Sequence, residues 1–457
     1  MKSLFRGILA VIALFSLSLI ASAQTSRIEM SLSECVAFAQ ENSPLLLTLQ
    51  PKLQSLDLDY SVARQAFLPS LNASIGENFS FGRAQGRDNI VTNTSNASTS
   101  FSIGAEMPIF SGGENWYQLQ KSRAALDTKG YIIADVEDNI ALRVAESYIQ
   151  LLLSKQLAAT ARENLALTEK YFNQVKQQVA VGKAAPADQI DIESQIARDQ
   201  LSVTETEADV VRSLRILLLD MGMDLDKVRE GELDIAEISP EMVVANLEKV
   251  SPNRVDTAWV LPATARLEKD LENAAYDAKI ARSGYFPRLS LSAGYSNGYY
   301  YNLDEEYKSA NIPFKDQIKD NGRFMVGVSL SIPIYNRGQV QRATQMADLQ
   351  LNNLRGQLIQ KRFDDNRNIQ LARTDLEKAT EQYRVSKENL ELATQALKVA
   401  DAKYSSGRMN TYEWEQVKNR RLQAQATYLQ AIYMRLLRTI NLIYFNTGEI
   451  PTQLASF

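Results

Sequence analysis

The 457-residue sequence contains no histidine and a single cysteine, Cys35. Without histidine there is no His-based general acid–base catalysis, no Ser–His or Cys–His nucleophile, and few ways to build a zinc site. One cysteine cannot form an internal disulfide, and the amphipathic stretch around Cys35 predicts a small buried apolar residue. The composition therefore argues against an enzyme, and we identify no catalytic, cofactor-binding or metal-ligating residues.

The chain also lacks an excess of basic residues, with 50 Lys and Arg against 54 Asp and Glu. Lys2 and Arg6 precede an apolar run that ends in small residues at 21–23, so residues 1–23 are predicted to be a secretory signal peptide. Without these two residues the basic count is 48, which gives a net charge of about −6. This balance argues against a nucleic-acid-binding protein, which would carry a basic face.

A long apolar run is missing as well. After residue 23 no stretch of about 18 apolar residues occurs, so no transmembrane helix is expected. Gln24, and not a cysteine, stands directly after the predicted cleavage site, so we expect no lipid anchor. An exported protein with neither feature is periplasmic, secreted, or an outer-membrane β-barrel.

The sequence does contain one duplication with a long period. Three pairs of segments match in the same order: 63–71 with 281–289, 108–113 with 333–338, and 181–183 with 406–408. Repeats of 20–50 residues indicate solenoids, whereas this spacing indicates a duplicated half-protein. We expect a first repeat over 24–221, an equatorial segment over 222–261, a second repeat over 262–446 and a tail over 447–457.

Each predicted repeat contains two strands with period-two alternation of apolar and polar residues. They are expected at about 70–82 and 99–109, and at about 288–299 and 323–334. Alternation over about ten residues is typical of a membrane β-strand, with one face to lipid and one to a lumen. An ordinary soluble sheet would explain one such strand, but four strands in an exported chain favour the membrane. We interpret 82–100 and 299–323 as polar linkers.

Two long helical stretches follow the strands in each repeat. No proline occurs between Pro108 and Pro186 or between Pro333 and Pro451. Residues 114–180 would form a helix about 100 Å long. Apolar residues at three- to four-residue spacing predict helical hairpins packed as in a coiled coil. The hairpin turns are expected near Gly182 and near residue 407, because glycine ends helices with positive φ.

These features resemble the TolC-like outer-membrane factors, the exit ducts of tripartite efflux pumps and type I secretion systems. The segments that carry the resemblance are 32–44, the helix-to-strand junctions 67–69 and 285–287, the strand-to-helix junctions 108–110 and 333–335, and 280–295. It covers essentially the whole mature chain, and the order and duplication of the motifs are specific. It implies a passive outer-membrane channel that exports small molecules or proteins from a Gram-negative bacterium.

The resemblance also implies a fold and partners. The fold is mainly α with membrane β: a homotrimer whose 12-stranded transmembrane β-barrel continues as a long periplasmic α-helical barrel. Four strands cannot close a barrel, and open edges are not tolerated in lipid, so several chains are needed in any case. The implied partners are a periplasmic adaptor (membrane fusion) protein and an inner-membrane transporter. The residues expected to dock the adaptor are Val181, Gly182, Lys183, Ser406, Gly407 and Arg408.

A constriction near the turns is implied too, closed by links between the two hairpins, with the Tyr404 hydroxyl as donor and Asp188 as acceptor, and by acidic charge in the lumen. Asp188 matches an acid in the first hairpin, Tyr404 a tyrosine hydroxyl in the second, and Glu413 the first acid of the lumen. Gln416 departs from the pattern where a second acid can occur, which argues against strong block by cations. Asp188 and Glu413 would equally serve as acids in the first turn of their return helices, where they favour the helix dipole.

Two other classes of protein compete with this interpretation. A periplasmic coiled-coil scaffold or adaptor protein explains the hairpins, but it does not explain four amphipathic strands. A hydrolase of the cell envelope would need an acid pair or a nucleophile in a pocket. The acids of this chain lie on helical faces, where solvated charge is the default.

Overall fold

The structure is a computed structural model that describes residues 28–85, 91–182, 185–226, 233–254, 256, 259–306 and 308–455. The signal peptide predicted over 1–23 and the predicted docking residue Lys183 lie outside these residues. The described chain is mostly helical, as expected. None of its helices is both long enough and apolar enough to cross a membrane.

The elements follow one another in an order that repeats. The N-terminal half contains β1 (Ile28–Met30), α1 (Leu32–Asn42), α2 (Pro44–Gln65), β2 (Ser70–Gln85), β3 (Val91–Ser111), α3 (Glu114–Leu126), α4 (Lys129–Ala180) and α5 (Pro186–Asp220). The intervening segment contains β4 (Leu233–Ile235) and α6 (Pro240–Lys249). The C-terminal half contains α7 (Pro262–Ser283), β5 (Arg288–Asn302), α8 (Phe314–Asp320), β6 (Arg323–Ser331), α9 (Gln339–Ser405) and α10 (Thr411–Thr447).

Several strand boundaries differ from the sequence-based expectation. The stretch interpreted as a polar linker over 82–100 is largely strand, because β3 begins at Val91 and pairs with both β2 and β5. Asn and Ser have low strand propensity, but pairing with β2 from Val91 onward and with β5 from Asn96 onward overrides it. The linker expected over 299–323 is partly structured, since β5 runs to Asn302 and α8 follows. At the other end β6 stops at Ser331 rather than 334, before Pro333, which has no N–H to donate.

The first long helix is interrupted, contrary to the single helix expected over 114–180. It breaks between α3 and α4, where the Thr128 hydroxyl donates a hydrogen bond to the Ala125 carbonyl at 2.7 Å. Such a side-chain bond competes with the helical backbone ladder, and Gly130 adds little helix propensity. In the second repeat α9 continues without a break for 67 residues.

The chain divides into two compact units, of which one contains residues 47–135 and 260–365. Its centre is an antiparallel sheet in the order β2-β3-β5-β6. The register places apolar residues side by side across all four strands. Two such rows are Leu71, Ala105, Ala293, Val326 and Ala73, Ile103, Tyr295, Phe324. The adjacent rows on the opposite face are polar or small, such as Ser74, Ser102 and Ser296.

The other unit contains residues 28–46 and the described residues within 136–259 and 366–455. Its core is formed by α1, α4 and α10 and includes Cys35, Tyr148, Leu152, Ile432 and Leu436. A parallel pair of three-residue strands, β1 and β4, borders this core. The sequence analysis missed this pair, because three residues are too few to show a period.

Candidate functional site at the hairpin turns

Both predicted hairpin turns are present and are built on left-handed glycines. Gly182 has φ 72° and Gly407 has φ 69°. A side chain at either position would meet no neighbouring atom within 4 Å, so backbone conformation alone accounts for glycine. After Gly407 the Arg408 N–H donates to the Lys403 carbonyl at 2.9 Å, which closes the end of α9. The described docking candidates Val181, Gly182, Ser406, Gly407 and Arg408 are all exposed.

The structure brings together two of the predicted constriction residues, Asp188 and Tyr404, through a third residue. The hydroxyl groups of Tyr404 and Thr411 lie 3.4 Å apart, and the Thr411 hydroxyl donates to Asp188 Oδ1 at 3.3 Å. The direct link expected between Tyr404 and Asp188 is therefore replaced by a bridge, because the buried Thr411 stands between them. Both distances are long for hydroxyl hydrogen bonds, so each link is weak.

Asp188 has a second contact that belongs to helix capping. The Ala185 N–H donates to Asp188 Oδ2 at 3.1 Å, at the first turn of α5. One carboxylate oxygen thus supports its own helix, while the other faces Thr411 of the second hairpin. Asp188 thus contacts both its own helix and the second hairpin, and its part in a constriction stays a prediction.

Glu413 and Gln416 do not join this bridge. Both side chains are exposed on α10. The cap of α10 is Asn410, whose side chain accepts from the Glu413 N–H at 2.8 Å. Glu413 therefore sits in the first turn, where its charge favours the dipole, and its carboxylate is free to face solvent.

An aromatic cluster that the sequence analysis missed packs directly behind the bridge. The Trp414 ring lies 4.1 Å from that of Tyr171 and stacks at 5.4 Å on that of Tyr404. Asp401 accepts hydrogen bonds from the Tyr171 hydroxyl at 2.9 Å and from Trp414 Nε1 at 2.7 Å. Burial, together with the nearby Asp188 and Glu415 charges, raises the pKa of Tyr404, so its hydroxyl remains a donor at neutral pH.

A buried charge lies deeper in the hairpins. Lys418 is 1% exposed and forms an ion pair with Asp199 at 3.1 Å. Burial lowers the pKa of Lys418 while Asp199 opposes the shift. Glu415 is also buried; burial raises its pKa, and its Oε1 atom has no hydrogen-bond partner. Sequence reasoning assigned such charges to solvated faces, so it missed this pair.

The sheet presents the second functional surface. Its apolar side chains are exposed, among them Leu71, Ile75, Val326, Val328 and Leu330. A continuous exposed apolar face of this extent is rare in soluble proteins and marks an interaction with lipid or protein.

Across the described part of the chain no group of three or more His, Cys, Asp or Glu residues is placed to hold a metal ion.

A sheet with one exposed apolar face and one polar face, followed by long helical hairpins with polar turns, defines the class of outer-membrane exit ducts. The chain belongs to the family described as "Outer membrane efflux protein", whose profile matches residues 36–222 and 262–444. This confirms the resemblance inferred from the sequence. The unmatched stretch between the two segments contains β4 and α6.

Individual relatives agree with the family. The chain is 23% identical over 320 residues to outer membrane protein TolC of Vibrio cholerae serotype O1, which covers 70% of this chain and 68% of the relative. It is 25% identical over 360 residues to the pyoverdine export outer membrane protein OpmQ of Pseudomonas aeruginosa, covering 76% and 70%. It is also similar to the proteases secretion protein PrtF of Dickeya chrysanthemi, at 22% identity over 301 residues, covering 63% and 60%.

Solved structures show the same fold. CusC superposes with a TM-score of 0.71 at 18% identity, covering 94% of this chain and 96% of that chain. VceC from Vibrio cholerae superposes with a TM-score of 0.68 at 14% identity, covering 90% and 95%. The chain is thus an outer-membrane exit duct for efflux or secretion. A periplasmic scaffold or adaptor does not account for the apolar face of the sheet.

Proposed function

We propose that three copies of this chain form one passive channel, in which twelve strands make a transmembrane barrel and the hairpins continue it as a periplasmic helical barrel. The observation that carries the proposal is the sheet register, which collects apolar side chains on one face of β2, β3, β5 and β6. One chain leaves the outer edges of β2 and β6 open, and open edges are not tolerated in lipid. Two chains would give a barrel filled by side chains, whereas three leave room for a lumen.

The aromatic residues of the sheet support the placement of its apolar face in lipid. Tyr295 and Phe324 stand at one end of the part of the sheet that all four strands share. Beyond them the same face carries a row of Glu77, Thr99 and Tyr299, in which the Thr99 hydroxyl donates to Glu77, and then a row with Phe79 and Tyr301. Aromatic girdles are typical of the boundary between the membrane and water.

The assembly is tested by native mass measurement of the purified protein in mild detergent. A trimer is expected, and chemical cross-linking of intact outer membranes should give the same species. A stable monomer that conducts ions would exclude the proposal. Heat-modifiable migration on detergent gels adds a check on the barrel, since a soluble scaffold protein would not show it.

The hairpin turns are proposed to close the periplasmic end and to dock the adaptor, which connects the duct to an inner-membrane transporter. A resting duct must be narrow here, or the outer membrane would leak. The link from Tyr404 through Thr411 to Asp188 consists of long polar contacts, so it opens at small cost. The exposed turn residues Val181, Gly182, Ser406, Gly407 and Arg408 are the proposed docking surface, together with Lys183.

The proposed gate is tested by single-channel recording in planar bilayers. Tyr404→Phe combined with Asp188→Ala should raise conductance, because it removes both ends of the bridge in all three chains. Asp188→Asn is the matched control, since its amide oxygen still accepts from the Ala185 N–H and its amide nitrogen can donate to the Thr411 hydroxyl. Wild-type conductance in the double variant would exclude the proposed gate and would leave the assignment of the protein as a channel unaffected.

The lumen charge is tested separately. Glu413→Gln should weaken cation preference and divalent-cation block, because it removes three charges from one ring of the trimer. Gln416→Glu is the converse variant and should strengthen both. If reversal potentials and block are unchanged in the two variants, Glu413 does not face the lumen.

The exported substrate is proposed to be either small molecules or proteins, since the relatives named above include a pyoverdine export protein and a proteases secretion protein. Deleting the gene and comparing the exported metabolites and proteins would separate these two possibilities. Loss of protein secretion alone would assign the duct to type I secretion, and loss of small-molecule tolerance alone to efflux.

A further inference from the structure

A single buried ammonium connects three helices. Lys418 of α10 donates to Asp199 of α5 at 3.1 Å and also to the hydroxyl of Thr168 of α4. The Thr168 hydroxyl itself lies 2.5 Å from Asp199 Oδ2. We refer to Lys418, Asp199 and Thr168 as the buried node. Because α4 and α5 form the first hairpin and α10 belongs to the second, the buried node ties the two hairpins together.

The members of the buried node are hydrogen-bonded to neighbouring side chains and shielded from solvent. Gln195 Nε2 donates to the second oxygen of Asp199 at 2.6 Å, so both carboxylate oxygens have partners. The Lys418 ammonium lies 5.7 Å from the centre of the Trp414 ring. Asp199 and Thr168 are buried as well as Lys418. Breaking one member of such a pair leaves an uncompensated buried charge, which is strongly unfavourable.

The polar contacts between the hairpins that lie closest to the turns are weaker than those of the buried node. The bridge through Thr411 consists of contacts of 3.3 and 3.4 Å without a compensating cation. These links are weak, whereas the buried node contains an ion pair and is shielded from solvent. Tyr171 of α4 also donates to Asp401 of α9 at 2.9 Å, so the polar contacts between the hairpins become stronger from the bridge toward the buried node. A force that begins to separate the hairpins at the turns therefore breaks the bridge first, and the buried node is the last of these links to break.

We propose that the buried node is a fixed pivot that holds the two hairpins of a chain in one register and confines gate movement to the segment between the node and the turns. This proposal rests on the proposed gate at the hairpin turns. The pivot lies one helical turn beyond Trp414 on α10, so the moving segment would include the aromatic cluster of Tyr171, Tyr404 and Trp414 and the bridge.

The test uses pairs of spin labels in the full-length protein, with labelled chains co-assembled with an excess of unlabelled ones. An upper pair at Glu163 and Gln423 lies on the far side of the buried node from the turns, and a tip pair at Gln177 and Ser406 lies near the turns. All four positions are exposed. Distances are measured by pulsed electron paramagnetic resonance.

Three variants are compared with the wild type. The opened variant carries Tyr404→Phe and Asp188→Ala, and the neutral-node variant carries Lys418→Met and Asp199→Asn, which leaves no buried charge in the node and keeps an acceptor for Gln195. The third combines all four changes. A matched control, Arg212→Met with Asp209→Asn, removes an exposed ion pair within α5 by the same substitutions.

The pivot predicts that the upper pair keeps its wild-type distance in the opened variant and in the control, and shifts or broadens in the combined variant. An upper pair that moves in the opened variant while the node is intact overturns the proposal, as does one that stays unchanged in the combined variant. The tip pair and bilayer conductance report on the gate alone. A failed gate and a failed pivot therefore give different results.

Discussion

Replacing Val328 by arginine should prevent assembly of the trimer. Val328 lies in β6 opposite Leu291 and is 70% exposed. Val326 and Leu330, two residues away on either side, share its face, so the side chain points to lipid in the proposed barrel. An arginine on the lipid face costs about 2–4 kcal/mol near the bilayer midplane and about 0–1 kcal/mol near the interfaces. Val328 lies well inside its strand, so the larger cost applies.

Three chains carry the substitution, so the penalty amounts to roughly 6–12 kcal/mol per trimer by the same scale. A penalty of that size is comparable with the whole stability of many folded proteins. Ser329→Arg is the matched control, because Ser329 pairs with Ser290 on the polar face of the same strand. An arginine there would face water in the lumen and cost little.

The assay is the fraction of exported protein recovered from outer membranes as trimer in mild detergent. Val328→Arg should lose most of it, and Ser329→Arg should keep it. Equal recovery of both variants would show that the register, or the assignment of the apolar face to lipid, is wrong. Arginine tolerated at Val328 but not at Ser329 would place the opposite face in lipid.

Two further predictions concern packing. Gly112→Ala should lower the midpoint of thermal unfolding, because Gly112 has φ 66° and an added Cβ would lie 2.5 Å from the Ser283 carbonyl oxygen. The left-handed backbone conformation alone costs a residue with a side chain about 1–2 kcal/mol. Gly130→Ala is the control and should be neutral or slightly stabilising, because there is open space around Gly130. Cys35 should resist alkylation at pH 8 in the folded protein and react after denaturation, because burial raises the pKa of its thiol to about 12. Mass spectrometry of maleimide-treated samples measures this, and rapid labelling of folded protein would contradict the burial of Cys35.

Parts of the fold with a strong local period were predictable from the sequence. The alternation around Val326 and Val328 and the long proline-free stretches predicted strands and helices near where they occur. The polar start of β3 was not predictable in this way, since Asn93 and Ser95 carry no apolar signal and adopt the strand through pairing with β2. The break at Thr128 involves a side-chain hydrogen bond, and the spacing of apolar residues along the sequence gives no sign of such a bond.

The candidate site, like the fold, was only partly predictable from the sequence. Tyr404 and Asp188 were found through a resemblance, and the structure placed Thr411 between them, a residue with no distinctive sequence signal. Lys418 and Asp199 lie on helices rich in charged residues, where exposure is the default expectation. Their burial depends on how two hairpins distant in sequence pack against each other, and a single sequence does not contain that information.

The most direct test of the proposed duct is the electrical behaviour of the purified protein, reconstituted in planar lipid bilayers and identified as a trimer by native mass before use. We predict discrete, reproducible current steps that rise in proportion to voltage, as expected for an aqueous pore with a fixed lumen. The small amount of trimer recovered from Val328→Arg should give steps of the same size at lower frequency. A trimer that inserts into the bilayer without conducting, or steps produced equally by monomer fractions, would contradict the account.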